Sequence, residues 1–461
     1  MAAAATQQPD EPPSLGKSLE PRHITMISIA GVIGAGLFVG SATAIEQAGP
    51  AVLVSYALAG TLVVMVMRML GEMATANPDT GSFSVYSERA LGHWAGFTVG
   101  WLYWWFWVLV IPVEATAAAT ILDSLIGGEQ WMWALAVTLL LTVTNLASVG
   151  NYGEFEFWFA LIKVVAIVAF LVIGVLAILG VFPGSDVSGV EHLWQPDGFL
   201  PNGYTAVIAA MLTTMFSFMG TEIVTIAAAE SPDPKRGITR AVNSVIWRIS
   251  LFYLGSIFVV VALLPYDRLD NGSYQSVLDA IGIPHSARIM DVVILTAVAS
   301  CLNSALYTAS RMLFSLGVRR DAPQVVRKLS RQGVPRVAVS ASMIVGFVAV
   351  IGNYVLPDRI FTWLLSTSGA VALFVYLAIA ASQLRLGRRM REQGERPPVR
   401  MWLFPGLTVV VIAFVVAVLV LMAFDPAQQQ AIGFSVASAL VIVAIGLTVQ
   451  RRRRAERQSL S

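Results

Sequence analysis

Cutting the chain at its charged residues leaves twelve uncharged windows of 18 to 25 residues: 23–45, 47–67, 90–113, 130–153, 164–185, 198–221, 249–266, 292–310, 337–357, 360–384, 401–424 and 426–450. A helix rises about 1.5 Å per residue, so each window can cross a hydrocarbon core of roughly 30 Å. A membrane β-barrel is excluded, because its strands need alternating polarity and these runs are continuously apolar. Composition agrees: 13% of the 461 residues are charged, against about 25% in a soluble domain. A soluble enzyme, a nucleic-acid-binding module and a single-anchor receptor are excluded, and the lipid bilayer is the first partner. The longest polar connections, 184–203, 266–285 and 316–336, are too short to fold alone. The expected organisation is one all-α polytopic domain over 23–450, between a disordered tail (1–22) and a basic tail (451–461).

Net charge, +2, says little, but its distribution says more. With alternate connections assigned to alternate sides, 27 of the 30 Lys and Arg fall on one side, leaving Arg268, Arg288 and Arg359 on the other. The positive-inside rule makes the rich side cytoplasmic, and an even number of spans then puts both termini there. The expected location is the cytoplasmic membrane. Cys301 is the single cysteine, so no internal disulfide is available. The four histidines, His23, His93, His192 and His285, show no metal-ligand spacing. No cofactor and no metal are expected. No phosphate-binding G-x-x-x-x-G-K-[ST] motif is present, so no ATP-binding subunit is required by this chain.

The first window carries Gly31, Gly34 and Gly36 at its centre. Each glycine costs a helix interior about 1 kcal/mol relative to alanine. Either the helix is interrupted here with its freed backbone lining a cavity, or the small residues pack closely against another helix. The sixth window reads Phe216-Ser217-Phe218-Met219-Gly220-Thr221-Glu222. Spans 1 and 6 hold corresponding places in two five-helix halves, and glycine-interrupted segments at matching positions point to an inverted-repeat secondary transporter with a midplane site. A half-helix starting near Gly34 presents N–H groups suited to a carboxylate. Carbonyls near Ala30 and Gly31, and from Phe216 to Met219, suit an ammonium. The expected ligand is a small zwitterion held by Ala30, Gly31, Ile33, Gly34, Ala35, Gly36, Phe216, Ser217, Phe218, Gly220 and Glu222, with Asn303 of span 8 beside them.

Several stretches carry a family resemblance: SIAGVIGAGLFVGSATAI (28–45), MRMLGEMATANPDTGSFSVY (67–86), GWLYWWFWVLVIPVEA (100–115), NYGEFEFWFALIKVVAI (151–167), MFSFMGTEIVTIAAAES (215–231), NSVIWRIS (243–250) and SCLNSALYTASRML (300–313). The chain resembles the bacterial amino acid permeases of the amino acid–polyamine–organocation superfamily. The tryptophan-rich third span and NSVIWRIS point to the 4-aminobutyrate (GABA) permease subgroup. The resemblance implies a LeuT-type fold: a 5+5 inverted repeat with discontinuous helices 1 and 6, followed by helices 11 and 12. It also implies proton-coupled uptake of GABA or a related amino acid, with zwitterion and proton as partners. An amino acid exchanger, or a permease for proline or for an aromatic or basic amino acid, is the alternative. Gly36 stands where the subgroup has a serine, which would widen the site.

Lys163 lies at the edge of the fifth window. In the resembled family a lysine here occupies the place of a sodium site and exchanges the coupling proton; the structural alternative is a lysine snorkelling to the headgroups. Glu222 is a carboxylate at membrane depth, functional by default as ammonium partner or proton acceptor, or a cap on the second half-helix. Phe218 is the expected lid and Glu230 a candidate for an inner gate. Glu114 either lines the path or forms a buried ion pair. Asn303, Ser304 and Thr308 either meet the substrate or tie helices together. Residues 78–90 are expected to be amphipathic rather than spanning.

Overall fold

The computed structural model describes residues 33–79, 82–147, 152–194, 197–223, 225, 233–269, 272–330, 333–426 and 428–459, and every regular element among them is helical. In order these are α1 (Ala35–Phe38), α2 (Gly40–Ala48), α3 (Val52–Ala76), α4 (Ser82–Leu91), α5 (His93–Ile126), α6 (Gln130–Ala147), α7 (Tyr152–Ile178), α8 (Gly203–Phe218), α9 (Pro234–Arg248), α10 (Gly255–Leu263), α11 (Ser273–Ala280), α12 (Ser286–Val318), α13 (Arg336–Val355), α14 (Pro357–Glu392), α15 (Gly406–Phe424) and α16 (Gln429–Ser459). Short 3-10 turns also occur, and a π turn over Ile249–Leu254 joins α9 to α10.

Each of the twelve expected spans carries a described helix. α1 and α2 share the first; α3, α5, α6, α7 and α8 carry the second to sixth; α9 with α10 carries the seventh; α12 to α16 carry the rest. The amphipathic segment becomes α4, which lies between two spans.

Helices overrun their charge-free windows at several boundaries, among them α3 to Ala76 and α5 to Ile126. The fifth span begins at Tyr152, not Val164, because the lysine that closed the window is buried inside the helix at 0% exposure. Lys163 therefore leaves the census of basic residues in the loops. The seventh span begins at Pro234, where Asp233 caps it by accepting the Arg236 N–H at 3.2 Å, an ordinary helix start. The last helix does not stop at residue 450 but continues to Ser459.

α5 is the pillar of the bundle. It runs for 34 residues, is buried over most of its length, carries Pro112 inside it, and packs along α12 and α14. α7 is peripheral and turns Trp158, Val165, Val168 and Val172 outward. An apolar face of that kind is stable against lipid, where only the backbone has to be satisfied internally.

Element ends assigned to one side of the membrane do meet. Arg319, beyond α12, bonds Glu88 of α4, and Arg453 of α16 donates to the carbonyls of Arg319 and Arg320 and to Asp321 at 2.9 to 3.1 Å. Arg391 of α14 reaches Glu72 of α3 at 2.9 Å. On the opposite side the Asn202 amide donates to the Gln47 carbonyl at 2.9 Å.

Candidate functional site

Span 6 breaks at a glycine. α8 ends at Phe218, Met219 is extended (φ −66°, ψ 146°), and Gly220 takes φ +97°, a conformation that a side chain would strain. The Glu222 carboxylate closes this turn by accepting the Gly220 N–H on both oxygens at 3.1 Å. Glu222 is fully buried, so the carboxylate seen in the sequence caps the break in its own span.

Span 1 is stitched to its surroundings by a second carboxylate. The Ala35 N–H, at the start of α1, donates to Glu114 Oε2 at 3.0 Å and Oε1 at 3.3 Å. A Cβ added at Gly34 would stand 2.7 Å from Glu114 Oε1 and 2.8 Å from Cys301 Cβ and Sγ, so this backbone comes too close for any side chain. Span 1 then touches the break in span 6, with the Ser217 hydroxyl donating to the Gly36 carbonyl at 2.7 Å. A Cβ at Gly36 would stand 2.8 Å from Ser217 Cα. Gly36 thus does not leave a vacant hydroxymethyl volume, because the backbone of span 6 already occupies it.

Between α1 and the break in span 6 lies a small cavity lined by Gly36, Phe106, Trp107, Val110, Glu114, Phe216, Met219 and Cys301. Gly36 and Phe216 were expected there; Gly34 and Ala35 abut it through Glu114, and Ser217 ties its walls. Ile33 is fully buried. Phe218 is turned away and packs between Tyr56 and Tyr253, with ring centroids 5.9 and 4.6 Å distant. Gly220 and Glu222 form the turn beside it. Ala30, Gly31 and Glu230 lie outside the described residues.

A second cluster forms around Lys163. Its ammonium donates to the Ser300 hydroxyl at 2.9 Å, and Ser300 donates to Glu156 Oε2 at 2.7 Å. The Asn303 amide reaches Glu156 Oε1 at 3.4 Å and accepts from Asn145 at 2.8 Å, so Asn303 binds helices together here and is not on the cavity wall. Thr308 bonds the Ser304 carbonyl within its own helix at 2.8 Å.

The sequence reading does not reach Glu156, Ser300, Cys301 or Val110; it leaves the aromatic cluster of the third span, with Phe106 and Trp107, open between a lid and helix packing, and both of these line the cavity. For Glu156 a signal was available: it precedes Lys163 by seven residues, about two helical turns, and therefore shares its face. Cys301 neighbours Ser300 on α12, and the two side chains serve different carboxylates, Glu114 and Glu156.

A twelve-span helical bundle with a small cavity between the first span and an interrupted sixth has the form of a membrane transporter of the LeuT-type class. The chain belongs to the amino acid permease family, whose sequence pattern matches residues 23–459. It is 58% identical over 445 residues to a probable GABA permease of Pseudomonas aeruginosa, covering 95% of this chain and 94% of that one. It is 59% identical over 426 residues to the gamma-aminobutyric acid permease of Escherichia coli K12, covering 92% and 91%. Among solved structures, the manganese transporter of Eremococcus coleocola superposes with a TM-score of 0.57 over 94% of both chains at 14% identity, a likeness of fold alone. Among the described residues no group of three His, Cys, Asp or Glu is placed to hold a metal ion.

Proposed function

We propose that this permease takes up 4-aminobutyrate, or an amino acid close to it, across the cytoplasmic membrane in symport with protons. The observation that carries the reading is the cavity between α1 and the break in span 6, where a backbone N–H and a buried carboxylate stand together at Ala35 and Glu114. A zwitterion satisfies both kinds of group: its carboxylate suits the N–H and its ammonium suits the carboxylate. Two carboxylates cannot share the Ala35 N–H while both are charged, so substrate binding is linked to movement or protonation of Glu114. The relatives named for GABA, similar over nine-tenths of the chain, support this substrate.

Lys163 is the proposed proton carrier. It is fully buried and hydrogen-bonded within the bundle, unlike a snorkelling lysine, whose amine reaches the headgroups. The basic loops are the proposed cytoplasmic side and both termini lie there. On a Cys301→Ala background, a cysteine at exposed Ser188 should react with an impermeant thiol reagent from outside cells, and one at exposed Gln324 should not.

Proteoliposome uptake of labelled GABA, with and without an inward proton gradient and competed by proline, lysine and phenylalanine, tests the function. Accumulation that follows the gradient and resists competition is expected. Uptake indifferent to the gradient but dependent on internal substrate would make the protein an exchanger.

A further inference from the structure

Buried lysines and carboxylates inside a membrane are normally paired, and Lys163 is linked to Glu156 through a serine. Their shared helix sets them about two turns apart, and a hydroxyl from another helix fills the gap. Ser300 of α12 has one proton to give and gives it to Glu156, so it receives from Lys163 as an acceptor. Every hydrogen bond in this chain therefore points the same way, from ammonium to hydroxyl to carboxylate. The other Glu156 oxygen is held by Asn303, also on α12 and itself fixed by Asn145 of α6, so the acceptor end is oriented by α12 and, through it, by one further helix.

We infer that Glu156 is the proton-accepting partner of Lys163 and that Ser300 relays the proton between them. In the relay Lys163 Nζ gives one proton to Ser300 Oγ while the Ser300 hydroxyl proton passes to Glu156 Oε2. One lysine N–H bond breaks as an O–H bond forms on the serine; the original serine O–H bond breaks as an O–H bond forms on the carboxyl. The ammonium–carboxylate pair becomes an amine and a carboxylic acid, the serine is restored, and the cluster stays neutral throughout. Neutrality is the physical point, since a lone deprotonation of Lys163 would leave the Glu156 carboxylate uncompensated in a medium of low dielectric constant. Glu156 stands near the N-terminus of α7, the end the basic loops assign to the cytoplasm, so the relay carries the proton toward the side where it must leave. The titratable groups around it are Lys163 on the same helix, Cys301 on α12 and, beyond Lys163, Glu114 on α5.

This inference rests on the proton-coupled reading above, and the test separates the two. Purified full-length protein in proteoliposomes is compared as wild type, Glu156→Gln, Ser300→Ala and Ser300→Thr. The readouts are gradient-driven accumulation of labelled GABA, counterflow of labelled for unlabelled GABA, and the pH profile of counterflow. A lost relay should cost accumulation on the order of tenfold or more in Glu156→Gln and Ser300→Ala, while counterflow persists with a flattened pH profile. Ser300→Thr, which keeps a hydroxyl, should recover part of the accumulation. If Glu156→Gln fails to fold, Ser300→Ala, which removes a single oxygen, decides. Wild-type accumulation in either variant overturns the relay, as does a parallel loss of accumulation and counterflow with the pH profile unchanged. A wild-type protein that ignores the proton gradient overturns the coupled reading instead.

Discussion

The Glu114 carboxylate accepts the Ala35 backbone N–H at 3.0 Å, so an anion of the third span holds a backbone donor at the start of α1. Span 3 thereby reports to span 1 on the charge in the cavity. In the proposed transport reaction the substrate carboxylate exchanges with Glu114 at this N–H, beside a wall of aromatic and aliphatic side chains and the Cys301 thiol.

Replacing Glu114 by glutamine keeps an oxygen for the Ala35 N–H but removes the charge that matches an ammonium. A hydrogen bond to a charged group contributes about 1.5–3 kcal/mol, so the initial rate of GABA uptake at low concentration should fall about tenfold or more. Initial rates across a range of GABA concentrations check this, and wild-type kinetics in the variant would remove Glu114 from the site.

Gly34→Leu should abolish transport while the protein still inserts. The obstacle begins at Cβ, which has only 2.7 Å to Glu114 Oε1, and a leucine adds three more carbons in the same direction. Overpacking of this kind costs about 1–3 kcal/mol, within what a bundle of this size tolerates. Surface labelling for insertion and uptake for function, measured on the same cells, separate the two effects.

At the end of the bundle where α16 meets the loop after α12, burial pushes the Asp321 carboxyl up, while Arg319, His93 and Arg453 pull it back. Its folded-state value stays above that of the unfolded chain, so ionising Asp321 costs the folded state stability, and that cost appears as pH rises through the carboxylate range. Arg453 offsets part of the cost. Arg453→Gln should therefore lower Tm most at neutral pH, by the equivalent of about 1 kcal/mol or less for a partly exposed pair. The two melting curves should converge as pH falls and Asp321 becomes neutral. A gap that widens toward low pH would contradict this account.

The spans and the break in span 6 were legible because they are written in local chemistry: charge-free length, glycine, and a carboxylate at depth. What surrounds that break was less so. Phe216 and Phe218 differ by two residues at the end of α8, roughly 200° of rotation, and only packing decides which one faces the cavity. Cutting the chain at charges also concealed the second cluster, since Lys163 and Glu156 were treated as the flank of a span when they lie inside it. Their bridge, Ser300, is 137 residues from Lys163, and no spacing rule connects them.

The proposed proton coupling depends most directly on Lys163. Gln at this position cannot carry a proton, so Lys163→Gln in proteoliposomes with an imposed inward proton gradient should exchange labelled GABA for unlabelled but fail to concentrate it. Accumulation by Lys163→Gln that follows the gradient as the wild type does would show that the coupling proton travels elsewhere.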